Sequence, residues 1–232
     1  MRHRIITILL PAVLLVAVLF AGCSNNKDTI PPATNSRIMF VNAVPDAGAL
    51  SVLVDGAAVE SDLGYFDHTQ YLNLATGDRT IQARLAGTGL PFVVDTPLAA
   101  SANYAYSVYF VDTVGAITPL FLNDVLVEPD TLKARVRFLQ LSPGLPPVDL
   151  NETNGDSVFV GASNIEFKGH TNYVETDRGT YSFELRTSGT GELLTTFAGM
   201  NLEGGQTYTL VARGFRGGAG GTGLVIDTVI QQ

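Results

Sequence analysis

Three histidines and one cysteine leave this chain of 232 residues few side chains able to do chemistry. His3 sits at the head of an apolar N-terminal segment, so His68 and His170 carry any acid–base work in the remainder. An imidazole titrates near neutral pH, and either one, with neighbouring carboxylates, could serve a Ser-His-Asp hydrolase. No Gly-x-Ser-x-Gly elbow accompanies them. Both stand in a His-Thr-x-Tyr sequence, which reads as a chain entering a strand after a turn and predicts an imidazole at the surface or bonded to a loop carbonyl. Neither has a second His or Cys at ligand spacing, so no zinc site is expected. Residues 149–156, Asp-Leu-Asn-Glu-Thr-Asn-Gly-Asp, gather oxygen ligands of the kind calcium prefers. They depart from the calcium-loop pattern at Thr153, at Asn154 where Gly is needed, and at Val160 where a bidentate Glu is needed, and a polar hairpin turn at Asn154-Gly155 is the expectation. Residues 218–223 spell Gly-x-Gly-x-x-Gly, but Leu224-Val225-Ile226-Asp227 reads as a strand, not as the helix whose N-terminus would receive a pyrophosphate. A flexible hairpin loop is expected there, with no cofactor and no metal.

The elements that position these residues read as strands. Leu50, Val52 and Val54 alternate with Ser51, Leu53 and Asp55, and Tyr181, Phe183 and Leu185 alternate with Ser182, Glu184 and Arg186. Period two marks strands with one buried face, while Asp55-Gly56, Thr76-Gly77-Asp78 and Gly204-Gly205 mark turns. Past the N-terminal segment no stretch sustains a capped apolar repeat of 3.6 residues. Tyr104 and Tyr106 share a face with Val108 and Phe110, the spacing of a core strand, and Tyr109 falls on the opposite face. Tyr65, Tyr71 or Tyr109, if exposed, would offer a stacking surface for sugar or peptide, although the absence of Trp argues against a carbohydrate platform.

The same pattern is written twice. Arg37-Ile38-Met39-Phe40-Val41 aligns with Arg135-Val136-Arg137-Phe138-Leu139 at an offset of 98, and His68-Thr69-Gln70-Tyr71 with His170-Thr171-Asn172-Tyr173 at 102. Gly87-Thr88-Gly89 matches Gly189-Thr190-Gly191 at the same offset, and Leu98 and Tyr104 then align with Leu202 and Tyr208 at 104. A period near 100 is that of a small domain, not of a solenoid. The expected organisation is all-β: two tandem β-sandwiches, immunoglobulin-like or transthyretin-like, over residues 36–128 and 134–232, joined by a linker at 129–133.

Ahead of these lie Arg2 and Arg4, an apolar run from Ile5 to Phe20, and the small residues Ala21 and Gly22. That layout is a signal peptide over residues 1–22. Leu19-Phe20-Ala21-Gly22-Cys23 resembles the lipobox of bacterial lipoproteins, which implies cleavage before Cys23 and lipid on its thiol. A lone cysteine forms no internal disulfide, which fits that assignment. Several acyl chains, such as palmitate, anchor stably where one binds marginally. Residues 23–35, rich in Asn, Thr, Pro and Lys, read as a flexible tether. Without Arg2 and Arg4 the chain carries 12 basic against 22 acidic residues, a net charge of −10 that repels phosphate backbones and so excludes nucleic acid. Asp28-Thr29-Ile30, Asp112-Thr113-Val114, Asp130-Thr131-Leu132, Asp156-Ser157-Val158 and Asp227-Thr228-Val229 share one pattern, resembling the O-glycosylation signal of Bacteroidetes exported proteins. The plain reading is strand entry after a turn. If modified, Thr29 and Thr131 are the favoured sites.

Residues 37–46, Arg-Ile-Met-Phe-Val-Asn-Ala-Val-Pro-Asp, followed by residues 50–56 and then Tyr71 ahead of Gly77, resemble the domain-of-unknown-function 4397 family of bacterial exported proteins. The second stretch matches at residues 135–143 but replaces the strand and Asp-Gly turn with residues 151–155. The resemblance implies an extracytoplasmic β-sandwich and brings no catalytic residues. The expected function is a membrane-anchored, non-enzymatic binding or structural module of the bacterial cell envelope, at the outer membrane and facing the periplasm or the surface. Its partners would be the membrane, through the lipid, and an envelope protein or polysaccharide. A hydrolase using His68 or His170, or a carbohydrate-binding surface protein, are the alternatives.

Overall fold

The computed structural model describes residues 35–153 and 158–231, and among them the chain is all-β with no α-helix. The first half supplies β1 (Asn35–Asn42), β2 (Leu50–Val54), β3 (Ala57–Leu63), β4 (Leu72–Ala75), β5 (Gly77–Leu85), β6 (Val94–Ala100), β7 (Ala105–Val111) and β8 (Thr118–Asp124). The second half supplies β9 (Lys133–Gln140), β10 (Val148–Glu152), β11 (Val174–Asp177), β12 (Gly179–Thr187), β13 (Leu193–Leu202), β14 (Thr207–Arg213) and β15 (Val225–Gln231). Turn chemistry closes the hairpins where the sequence signals it. Asp55 and Gly56 both take positive φ, 50° and 80°, the type I′ geometry that suits a two-residue connection between β2 and β3.

Each half is a β-sandwich. Sheet β4-β1-β7-β8 packs on sheet β3-β2-β5-β6, and sheet β11-β9-β14-β15 packs on sheet β10-β12-β13. Ile38 and Phe40 of β1 meet Val108 and Phe110 of β7 and, from the other sheet, Leu50, Val52, Ile81 and Ala83. Val136, Phe138, Leu210, Val148, Leu150, Phe183 and Leu185 fill the second sandwich in the same way. β1 runs parallel to β7, and β9 runs parallel to β14.

Ladder register fixes which residues occupy matching places. Arg37 stands opposite Ala105 and Arg135 opposite Thr207, so Tyr106 matches Tyr208. Both phenol oxygens do the same work: Ser101 N–H donates to Tyr106 Oη at 3.0 Å and Glu203 N–H to Tyr208 Oη at 2.9 Å. Gly77 pairs with Ala100 and Gly179 with Leu202, so Ala100 takes the place of Leu202. The expected pairing of Tyr104 with Tyr208 and Leu98 with Leu202 is therefore corrected by two residues. In a strand a slip of two keeps every side chain on its own face, so alternation alone does not reveal it.

Among the described residues the second half has no counterpart of β3. The chain instead passes through a 3-10 turn at Phe159–Gly161, and the bridge Val148↔Ile165 covers the outer edge of β10. The expected Asn154-Gly155 turn lies outside the described residues. Residues 125–132, between β8 and β9, are irregular.

A third apolar cluster lies between the sandwiches. Met39, Val41, Tyr109, Val111 and Leu122 of the first half pack with Leu139, Leu141, Val211 and Val229 of the second. This accounts for the burial of β7 on both faces: Tyr106, Val108 and Phe110 enter the sandwich, Tyr109 and Val111 enter the seam, and Ser107 bonds Asp124. Both halves belong to one compact unit.

Candidate functional site

The two His-Thr-x-Tyr motifs do identical local work. His68 bridges Val41 and His170 bridges Leu139, each ahead of a short strand. His68 Nδ1 donates to the Thr69 carbonyl at 3.1 Å and His170 Nδ1 to the Thr171 carbonyl at 3.0 Å, with both rings exposed. A carbonyl oxygen only accepts, so Nδ1 carries the proton and Nε2 is left to solvent. The hydroxyl behind each ring is buried and accepts a backbone amide: Phe40 N–H to Thr69 Oγ1 at 3.1 Å, Phe138 N–H to Thr171 Oγ1 at 2.9 Å. These are strand-entry fittings, as the motif predicts.

The tyrosines of the motifs turn inward and converge on one carboxylate. Tyr71 Oη donates to Asp124 Oδ2 at 2.7 Å, Tyr173 Oη to Asp124 Oδ1 at 3.3 Å, and Ser107 Oγ to Asp124 Oδ2. Arg137 reaches across the seam to Asp124 at 2.6 Å; the two side chains are 3% and 0% exposed. Its remaining donors go to Thr209 Oγ1 at 2.9 Å and the Asn123 carbonyl at 3.1 Å, and its guanidinium lies 4.6 Å from the centre of the Tyr173 ring. Burial pushes the phenols of Tyr71 and Tyr173 far up, and that of Tyr109 up to about 12. Burial disfavours the Arg137 charge most, but Asp124 together with the neighbouring Tyr109 and Tyr173 outweighs it and holds the guanidinium's pKa above its ordinary value.

Sequence reasoning did not find this network, because its members differ in type between the halves. Met39 stands where the second half has Arg137, and Asp124 where it has Gln231, as the registers of β7 with β8 and β14 with β15 show. Tyr71 is half-buried and Tyr109 fully buried, so both are corrected as sugar-stacking candidates: the seam consumes them. Tyr65 lies beneath Arg213, whose guanidinium is 5.0 Å from its ring centre and 4.4 Å from that of Phe66. Tyr104 is the tyrosine left half-exposed.

One concave site adjoins a motif histidine. An open pocket of about 570 Å³ is lined by Glu60, Asp62, Leu63, Phe66, Asp67 and His68 from the first half and by Asp227 and Thr228 from the second. Arg213, stacked over Phe66, pairs with the lining residue Asp227 at 2.7 Å. Four carboxylates and an imidazole make the lining acidic, and it includes neither serine nor cysteine. The surroundings of His170 differ. Lys168 takes the place of Phe66 and Gly169 that of Asp67, and the ammonium bonds Asp112 at 3.1 Å and Thr118 at 2.9 Å across the seam.

The other candidates are accounted for locally. Asp149 accepts from Ser163 Oγ at 3.1 Å and Asn164 N–H at 2.7 Å, and no group of three metal-ligating side chains forms among the described residues. Residues 218–223 form a tight loop with a 3-10 turn at Gly220–Thr222 leading into β15; Phe215 N–H donates to the Thr222 carbonyl at 2.8 Å. At Gly214, with φ +83°, a Cβ would lie 2.1 Å from the Gly223 carbonyl oxygen, so only glycine fits. Thr131 is exposed, beside an Asp130 carboxylate that accepts Leu132 N–H at 2.8 Å. Cys23 and Thr29 lie outside the described residues.

The model of the family described as "Domain of unknown function (DUF4397)" matches residues 36–151, half of the chain. The chain belongs to this family. The DUF4397 match starts in β1, spans the first sandwich and the seam-forming Arg137, and ends in β10. Among solved structures, the DUF4397 chain is similar to the CBMbc module (family CBM26) of Eubacterium rectale Amy13K in complex with maltoheptaose, at 12% identity and a TM-score of 0.24 over 84% of this chain and 95% of that one. It is also similar to the Bacillus anthracis TIE protein, at 11% identity and a TM-score of 0.26 over 86% of this chain and 44% of that one. Scores this low bear on neither fold nor ligand. No curated protein matches the sequence.

Proposed function

We propose that this is an exported, lipid-anchored, non-enzymatic binding or structural module of the bacterial cell envelope, built from two tandem copies of one domain. The observation that carries the reading is the seam. A buried Arg137–Asp124 pair, ringed by Tyr71, Tyr173, Ser107 and Thr209, joins two sandwiches into one body. The conspicuous polar residues of the repeats are thereby committed to holding two copies together. The matching geometry of the two histidines supports a structural role, since a catalytic base would need surroundings that only one of them has. The lipobox-like residues 19–23 support lipidation of Cys23, an outer-membrane location and a partner that is an envelope protein or polysaccharide. Thr29 and Thr131 are the proposed O-glycosylation sites.

Incorporation of a palmitate analogue, compared with Cys23→Ser, tests the anchor: label on the parent chain and none on the variant is expected. Label on neither overturns it. Protease shaving of intact cells, against a protected periplasmic lipoprotein, then separates surface from periplasmic partners.

The pocket beside His68 favours a second reading, a hydrolase using that imidazole with Glu60, Asp62, Asp67 or Asp227. Hydrolytic turnover of any ester, amide or glycoside panel substrate that His68→Ala abolishes and His170→Ala spares would establish it in place of the first.

A further inference from the structure

The body has two ends. At one, β1 begins at Asn35 and β9 at Lys133; at the other lie the turns that follow β1 and β5. The carbonyl of Asn35 accepts Asn103 N–H at 3.1 Å, and Arg37 N–H donates to the Tyr104 carbonyl at 2.9 Å, so Tyr104 sits beside the start of β1. Val125 follows Asp124, which pairs with Ala105, and so lies across from Tyr104 just past the last rung of that ladder. Arg135 donates to the Val127 carbonyl, and Arg178 N–H to the Leu132 carbonyl at 3.0 Å, which ties the irregular segment to the start of β9. Tyr104, Val125, Val127 and Leu132 are 52%, 41%, 74% and 59% exposed. The end where β1 begins thus carries an apolar rim with an amphipathic tyrosine, a composition that settles at a lipid headgroup boundary. The far end also exposes Leu90 and Phe92, at 53% and 40%, so it is the position of Asn35 that sets the two apart.

We propose that this rim rests on the lipid surface and holds the opposite end, with the turn bearing Leu90 and Phe92, away from it. The proposal deepens the lipid-anchor reading and depends on it for the point of attachment. Eleven residues separate Cys23 from Asn35. Their covalent reach is at most about 40 Å, at ~3.3–3.6 Å per residue. An anchored chain therefore presents the Asn35 end to the bilayer at high effective concentration, and three apolar side chains with one tyrosine suffice where they would not recruit a free protein. Basic and acidic residues are interspersed there, with Lys133 paired to Asp177 and Arg135 to Glu175, so contact depends on apolar and aromatic side chains and not on anionic lipid.

The test uses two features of the sequence: Cys23 is the sole cysteine, and there is no Trp. Chain starting at Cys23 is coupled through its thiol to maleimide-headgroup lipid in phosphatidylcholine vesicles with brominated acyl chains. Attachment then holds whether or not cells lipidate the residue, so failure of the docking idea is separable from failure of the anchor reading. Single probes are placed by Val127→Trp, by Tyr104→Trp as a second site at the same end, and by Phe92→Trp at the far turn, each checked for native circular dichroism. The expected result is emission at the two near sites that shifts to the blue and is quenched roughly twofold or more by brominated lipid, with the far probe unaffected, as insertion at the headgroup boundary requires. Equal quenching at both ends, quenching at neither, or stronger quenching at Phe92→Trp overturns the proposal. A blue shift at Val127→Trp in vesicle-free solution that disappears on dilution also overturns it, in favour of a second copy covering the rim.

Discussion

The two halves share the strand order of the sheets that meet at the seam, β4-β1-β7-β8 and β11-β9-β14-β15, and differ in the residues those sheets bring to it. Where the first sandwich places Met39 and Asp124, the second places Arg137 and Gln231, and the unlike residues meet as a buried ion pair. Repeating either half's residues on both sides would bury two carboxylates or two guanidiniums without opposite charge. Complementary divergence, not conservation, is what makes the seam specific. A buried pair of this kind is weak evidence for net stability, because desolvation offsets much of the attraction, but losing one member strands the other.

That distinction yields the largest expected effect. Arg137→Met installs the first half's residue in the second and leaves Asp124 uncompensated; urea denaturation should show a loss of about 3–5 kcal/mol. Adding Asp124→Gln, which installs the second half's residue in the first, should restore stability to within ~1 kcal/mol of the parent or above it. A double variant no better than the single would mean that the pair, not the avoidance of a lone charge, stabilises the seam. Next come the hydroxyls behind the histidines. Thr69→Val and Thr171→Val should each cost ~1–3 kcal/mol, because each leaves a buried amide without an acceptor, and the two costs should agree within error. Unequal costs would break the equivalence of the halves. Tyr71→Phe should cost ~1.5–3 kcal/mol, as loss of a hydrogen bond to a charged group, and more than Tyr173→Phe, whose contact with Asp124 is longer.

A pH effect follows from the same tyrosines. Burial raises the phenols of Tyr71, Tyr109 and Tyr173 in the folded state, whereas an unfolded tyrosine ionises near pH ~10. Above that pH the folded chain retains protons that the unfolded chain has lost, so stability is whole below about pH 10 and falls as pH rises beyond it. Tyr109, pushed up to about 12, sustains the slope until it ionises itself. Urea midpoints between pH 8 and 11 should show the fall, shallower in Tyr71→Phe. The smallest expected effect is at the exposed histidines: His68→Ala and His170→Ala should each shift stability by less than ~0.5 kcal/mol.

Much of the architecture was legible because it is carried by period and punctuation. Leu50-x-Val52 and Phe183-x-Leu185 declare strand faces, and Asp55-Gly56 declares its turn. The histidine motif was legible too, as a strand entry with the ring on a loop carbonyl. The seam was not, for two physical reasons. A strand buried on both faces, such as β7, shows no apolar–polar alternation to mark its second face, so the sequence places Tyr109 on that face without telling that the face is covered. Matching of repeats also rewards identity, and Met39, Asp124, Arg137 and Gln231 matter through their differences. The pocket at His68 was equally hidden, since Glu60 and Asp62 of β3 and Asp227 of β15 come to line one pocket only in the fold.

The parallel pairing of β1 with β7 sets an order of events during synthesis. Arg37 waits for Ala105, 68 positions later, before its sheet can close, and Arg135 waits 72 positions for Thr207. Contacts this distant in sequence make folding slow, because chain entropy is lost well before the ladder forms. The first sandwich can complete itself while the second is still being made, but its outer face, with Asp124 at one edge and Met39, Val41 and Val111 across it, has no cover until Arg137 and Leu139 arrive. The half-made chain therefore passes through a stage in which a finished domain displays a sticky, acid-edged surface, and whatever attends its synthesis must shield that surface until the other half exists.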